Sequence, residues 1–190
     1  MEKDFKKIIK AHKEDWNAIS MSKGLPEEFI REYKDQLNWK LISDYQDLSE
    51  NFIFEFRDRL NLASVLVKKK FSEQFLKKIM PSFKWAEWKA LSAYQTLTES
   101  FMKEFQDKLV WTDISAGQKL TEAFMEQNKD RLRWEYVSRY QKFSENFFWK
   151  FKDRLNIPYM MENKNLDTSG WSQEFQELKK QALQSSHEVY

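Results

Sequence analysis

The sequence predicts an all-α solenoid: six tandem repeats of 23 residues, each folding as two short helices, closed by a helical cap at either end. Three observations carry this. One register runs from residue 16 to residue 156 when the chain is compared with itself. Within each repeat the apolar residues recur at helical spacing. The chain holds only 3 Gly and 3 Pro beside 8 Trp and 16 Phe, few turn formers for many large core residues. At 190 residues it is long enough to bury one substantial core, and it reads as a single domain, 1–190.

The elements follow in order. Residues 1–15 form an amphipathic N-terminal cap that turns Phe5, Ile8 and Ile9 inward. With the recurring tryptophan as position 0, the repeats are 16–38, 39–61, 62–84, 88–110, 111–133 and 134–156, and residues 85–87 are an insert. Position 0 is Trp16, Trp39, Leu62, Trp88, Trp111 and Trp134. Position 11 is always Glu, from Glu27 to Glu145, and position 13 is always Phe, from Phe29 to Phe147.

The first helix of each repeat spans about positions 0 to 7, with positions 0, 3, 4 and 7 on one face. Position 4 is usually Ser and position 7 often Gln. Asn38, Asn61 and Asn156 precede these helices as N-caps, and Pro158 falls in a first turn that tolerates it. The second helix starts after Ser49, Thr98, Thr121 or Ser144, again as N-caps. Its Glu at position 11 meets the positive helix end. Apolar positions 13, 14, 17 and 21 make one stripe, implying a helix of about 12 residues that is marginal alone and depends on stacking. In the third repeat Pro81 is expected to cut that helix short, with a bend or shift of the superhelical axis near residues 80–88. Residues 157–190 are the C-terminal cap: a loop over 163–170, a short helix marked by Trp171, Phe175 and Leu178, and a frayed tail from Gln184.

Composition excludes several function classes. Lys+Arg 32 against Asp+Glu 30 gives a net charge of +2, with no global field towards nucleic acid or anionic membrane. There is no cysteine, hence no disulfide, thiolate metal site or Cys nucleophile. His12 and His187 are lone and terminal, without a second ligand at metal-site spacing. No Gly-rich phosphate loop and no Ser-His-Asp arrangement is present. The chain therefore reads as a non-enzyme without cofactor. The N-terminus lacks a signal-peptide core and no apolar run reaches the ~18 residues of a membrane span. A soluble, cytoplasmic protein with no membrane partner is expected.

Most signature residues have a structural reading. The Trp and Phe ladders read as core rather than a ligand or base-stacking surface, and the Gln ladder as pairing with an indole N–H or a neighbouring backbone group rather than reading bases. Position 19 is Asp in Asp35, Asp58, Asp107, Asp130 and Asp153, late in a helix where the dipole opposes it. A bond into the next turn, an ion pair with a neighbouring repeat, or a row facing a basic partner would each explain it. The third repeat carries Lys68, Lys69, Lys70, Lys77, Lys78 and Lys84 near Trp85 and Trp88, either a solvated face or a nucleic-acid patch. Phe54 and Trp149, at position 15, and Trp85 in the insert fall outside the apolar stripe. With Asp58 and Asp153 they are the candidate protein interface, unless an adjacent helix layer covers the aromatics.

The pattern W-x-x-I-S-x-Y-Q-x-L-S-E-x-F-I-x-x-F-x-D-x-L-N, read from Trp39–Asn61, resembles short tandem repeats in uncharacterised bacteriophage and large-DNA-virus proteins. The resemblance spans the six repeats and departs most in the third. It implies a helical-repeat fold and a viral origin, and brings no catalytic residues. Together these readings lead to a protein-interaction module, with a host defence protein as partner if viral. Nucleic-acid binding through the third repeat is the alternative, and self-association stays open.

Overall fold

The computed structural model describes residues 2–187, with side chains from 4 to 184. Among the described residues every regular element is a helix and none is a strand. The chain divides into two compact halves, Met1–Gln95 and Thr96–Tyr190.

The first half contains α1 (Glu2–Ala11), α2 (Trp16–Met21), α3 (Glu27–Glu32), α4 (Trp39–Tyr45), α5 (Glu50–Glu55), α6 (Leu62–Lys68), α7 (Glu73–Ile79) and α8 (Trp85–Tyr94). The second contains α9 (Glu99–Glu104), α10 (Trp111–Gly117), α11 (Glu122–Gln127), α12 (Trp134–Tyr140), α13 (Glu145–Phe151), α14 (Ile157–Glu162) and α15 (Gln173–His187). First helices stack in sequence, α2 on α4, α4 on α6 and α6 on α8; in the second half α10 packs on α12 and α12 on α14. The solenoid repeat is thus realised in each half.

The caps work as the sequence predicts. Asn38 accepts from the Lys40 and Leu41 amides, Asn61 from Ser64 and Asn156 from Tyr159. Ser49, Thr98, Thr121 and Ser144 accept from the amide three residues on. Each such cap satisfies an orphan N–H worth about 1 kcal/mol. Between them the core fills with Ile19, Phe29, Ile30, Ile42, Ile53 and Leu66 in the first half and Met102, Ile114, Met125, Val137 and Phe148 in the second, all essentially inaccessible. Burial of side chains this size contributes about 1.5–3 kcal/mol each.

Three expectations need correction. The second helices are six or seven residues, not about 12. After α5 the backbone tightens: Phe56 N–H still bonds Phe52 O at 3.0 Å, but Arg59 and Leu60 both donate to Phe56 O at 2.9 and 3.0 Å. The chain closes two turns around the position-17 carbonyl instead of continuing, which still brings Leu60 into the core. Pro81 does not shorten α7, which at seven residues is as long as any second helix of the repeats. It sits in the 3₁₀ turn Met80–Ser82 that follows. The insert 85–87 forms the first turn of α8, which starts three residues ahead of Trp88.

The third correction concerns the C-terminal cap, which is a seventh repeat in degraded form. Asn156 caps α14 in register with Asn38 and Asn61, and α14 packs on α12 as α12 packs on α10. A longer loop follows, then Ser172 donates its hydroxyl and amide as a position-10 residue does, and Phe175 is fully buried as a position-13 Phe is. Helix α15 runs on to His187, so 184–187 are helical, and 188–190 lie outside the described residues. At the other end Phe5 of α1 meets Phe29 edge-on at 5.2 Å. Lys13 and Glu14, both at positive φ (51° and 62°), turn the chain into α2.

Candidate functional site

Each recurring polar residue binds the neighbouring repeat or the far end of its own. Gln at position 7 reaches back one repeat. Gln46 Nε2 donates to Ser20 O and Ser22 O at 3.0 and 2.7 Å, and its Oε1 accepts from Leu25 N at 3.1 Å. Gln95 does the same to Leu66 O, Lys69 O and Phe71 N, and Gln141 to Ser115 O, Gln118 O and Leu120 N. These carboxamides are buried and satisfy backbone groups that no helix pairs. Asn163 continues the ladder in the seventh repeat, donating to Ser138 O and Gln141 O. Ser at position 4 ties its own repeat together. Ser43 donates to Trp39 O at 2.7 Å and accepts from Asn61 N at 2.8 Å, and Ser20, Ser115 and Ser138 repeat the bridge.

The Glu ladder serves the next repeat's N-cap. Glu27 accepts from Ser49 N and Oγ, Glu99 from Thr121 N, Glu122 from Ser144 N and Glu145 from Ser172. The two Ser172 bonds hold the Glu145 carboxyl below the ordinary Glu range. The Asp ladder forms the inter-repeat ion pair. Asp35 meets Arg59 at 2.9 Å; Asp107 meets Arg131 and Asp130 meets Arg154, both at 2.8 Å. Each arginine also lies over the position-0 indole of its own repeat, whose Nε1 donates to a position-18 carbonyl one repeat back. The indoles are therefore half-buried rather than sealed in the core.

Among the described residues Asp58 and Asp153 are the members of this ladder that meet no cation in an ion pair. The residue that would pair Asp58 is Ser82, and Asp153 ends the regular series. Both are exposed. Phe54 is exposed by 44% with the Arg57 guanidinium over its ring, and Trp85 by 69% with Lys89 near its face. Trp149 is only half-buried. Its indole donates to Glu145 at 3.0 Å and its ring meets Phe148 edge-on, both contacts within α13. Trp149 and Asp153 share a cleft of about 530 Å³ with Glu174, Glu177 and Leu178 of α15.

The six third-repeat lysines divide. Lys68 Nζ donates to Gln46 O at 2.8 Å and Lys69 Nζ to Asp47 and Leu48 O at 3.2 and 3.5 Å, so both turn onto the second repeat. Burial pushes the Lys68 ammonium below its ordinary range, against the attraction of Asp44 and Asp47. By accessible surface all six are exposed, so what sets Lys68 and Lys69 apart is their bonds to the second repeat.

One further set of residues is exposed at a single register position. Position 6 is Tyr in three repeats, and Tyr45, Tyr94 and Tyr140 are exposed by 48%, 48% and 42%. The signal was the recurring Tyr-Gln pair, in which Gln turns inward to the ladder and Tyr, one residue earlier, faces out. Among the described residues no His, Cys, Asp and Glu cluster is placed to hold a metal ion, and no helix is long and apolar enough to cross a membrane. No protein-family model, curated protein or solved structure matches the chain.

Proposed function

We propose that the protein is a non-catalytic interaction module that holds a protein partner through aromatic side chains presented by its repeats. The observation behind this is the division of labour within each repeat. The Gln, Ser, Glu and most Asp residues are consumed by internal bonds, while Tyr45, Tyr94 and Tyr140 remain exposed at one register position and Phe54 and Trp85 outside it. Tyr and Trp are the residue types that anchor protein interfaces, since they bury large area at little conformational cost. The resemblance to viral repeats extends the reading to a host protein, of the defence machinery, that the module engages and blocks in the host cytoplasm.

The test is affinity capture from host extract with the wild-type chain and with Tyr45→Ala/Phe54→Ala and Tyr94→Ala/Trp85→Ala variants of unchanged far-UV circular dichroism. Loss of a specific partner in either variant supports the reading. A partner captured equally by all three would overturn the assignment of these aromatics. Sedimentation velocity on the same samples separates a partner from a second copy of the chain.

A further inference from the structure

The second and third repeats meet without the carboxamide that seals the other junctions. Position 7 of the third repeat is Lys69, where Gln46, Gln95 and Gln141 stand elsewhere. A lysine supplies donors and no acceptor. Gln46 O, one of the carbonyls this ladder position serves, is met by Lys68 Nζ at 2.8 Å. The amide it should serve is not. Leu25, Phe71 and Leu120 each donate their N–H to a ladder Gln at 3.1, 2.9 and 3.2 Å, but the equivalent Leu48 N–H has no acceptor among the described residues. Beside it lies a cavity of about 340 Å³, lined by Leu48, Ile53, Val65 and Phe71, with Lys68 and Lys69 also on its wall. Its size falls in the range of about 300–1,000 Å³ found for small-ligand sites. A wider hollow between the fifth and sixth repeats differs in chemistry: its Gln141 is in place and already takes the Leu120 N–H.

We propose that this cavity binds a carboxylate carried on a short aliphatic group, whose oxygens take the Leu48 N–H and the Lys68 ammonium while its hydrocarbon lies on Ile53, Val65 and Phe71. A carboxylate supplies the missing acceptor with a charge opposite to the two ammoniums, and charge-assisted bonds of this kind are the strong ones. The carboxylate does what the carboxamide oxygen does at the other junctions. Asp47 also lines the cavity and already pairs with Lys69 at 3.2 Å, and Asp44 acts on Lys68 from nearby. Lys68, whose only hydrogen bond among the described residues is to a neutral carbonyl, is therefore the principal counter-charge, and Asp47→Asn is expected to strengthen binding by freeing Lys69. The same chemistry comes from a free short-chain acid or from the C-terminus of a peptide ending in an aliphatic residue.

The test is a titration of the ¹⁵N-labelled full chain, read at the Leu48 amide. The probes are hexanoate, hexanamide, acetyl-Ala-Leu with a free carboxylate, and the same peptide amidated. Hexanoate is expected to move the Leu48 amide downfield with saturation, and hexanamide to bind at least about tenfold more weakly, the loss of one charge-assisted bond. Saturation by the peptide acid but not hexanoate assigns the site to a chain terminus, and the reverse to a free acid. Lys69→Gln restores the ladder residue. It should shift the Leu48 amide without ligand, raise the thermal midpoint and abolish the titration. Lys68→Gln should weaken binding at least about tenfold, and Lys70→Gln should leave it unchanged. The proposal is overturned if neither acid moves the Leu48 amide, if acid and amide bind alike, if Lys69→Gln binds as the wild type does, or if Lys70→Gln weakens binding as much as Lys68→Gln.

Discussion

Replacing Gln141 by Leu should be among the most destabilising single changes to the second half, although it puts a hydrocarbon into a buried position. The carboxamide donates to Ser115 O at 2.9 Å and Gln118 O at 2.8 Å and accepts from Leu120 N at 3.2 Å. Leucine leaves the Leu120 N–H buried without an acceptor and removes one donor from each carbonyl. The unmet buried N–H costs about 1–3 kcal/mol and each carbonyl that loses one donor about 1 kcal/mol, so the three together cost about 3–5 kcal/mol. Extra apolar burial returns about 1–2 kcal/mol. The net is a loss of about 1–4 kcal/mol, a large fraction of the 5–15 kcal/mol that typically stabilises a folded chain. At roughly 2–4 °C per kcal/mol for a chain of this size, the thermal midpoint falls by about 2–16 °C. Urea unfolding followed by circular dichroism and by tryptophan fluorescence measures it. Gln74→Leu, at an exposed position outside the ladder, is the control and should stay within about 0.5 kcal/mol. A loss below about 1 kcal/mol for Gln141→Leu would refute the claim that the ladder joins the repeats.

Three further outcomes follow from the same ladders. Ser138→Ala removes the bridge between Trp134 O and Asn156 N at a fully buried site, and should cost about 1–3 kcal/mol in urea unfolding. The Glu145 carboxyl is depressed by its bonds to Ser172, so the stability it contributes is present above the ordinary Glu pKa of 4.5 and is lost as pH falls through its lower folded value. Glu145→Gln should accordingly flatten the acid limb of the stability–pH curve below about pH 4.5, and an unchanged limb would remove Glu145 from the account. Native-state hydrogen exchange should find α4 and α6 opening at lower free energy than α10 and α12, because among the described residues the junction of the second and third repeats lacks the Gln clamp, the Asp–Arg pair and the Glu50–Ser72 bond; equal opening energies would contradict this.

The register, the caps and the core were legible in the sequence because each rests on local chemistry. An Asn or Ser before an apolar run is a cap whatever lies beyond it. Two things were not legible, for physical reasons. Positions 13, 14, 17 and 21 face one side of a continuous helix, but they face the same side of a short helix followed by two turns closed on the position-17 carbonyl. Periodicity does not distinguish the two; only the hydrogen bonds do. The ladder partners were also hidden. Gln46 at the C-cap of α4 shows that a carboxamide is needed, but not that it serves Ser20, Ser22 and Leu25. The seventh repeat left a trace in Asn156 and in Ser172-x-x-Phe175, which repeats Ser49-x-x-Phe52, but the longer loop between them broke the count.

The third repeat departs from the pattern at linked positions, and the links argue against simple decay. Leu66 replaces the bridging serine, which would orphan the Lys84 N–H; Glu87, from the three-residue insert, accepts that N–H at 2.8 Å. Losing the ladder Gln would orphan Gln46 O; Lys68 reaches back to it. Ser82 in place of the ladder arginine leaves Asp58 unpaired, which costs little at an exposed carboxylate. The Lys84 N–H and Gln46 O are thus each answered by another residue, and the Leu48 N–H is not. The Leu48 N–H is left open beside an apolar cavity and two ammoniums, although a single change at Lys69 would restore its acceptor. A chain that repairs Lys84 N–H with an insert and Gln46 O with a lysine has the means to repair Leu48 as well. The gap it keeps at Leu48 is the one the proposed carboxylate would fill.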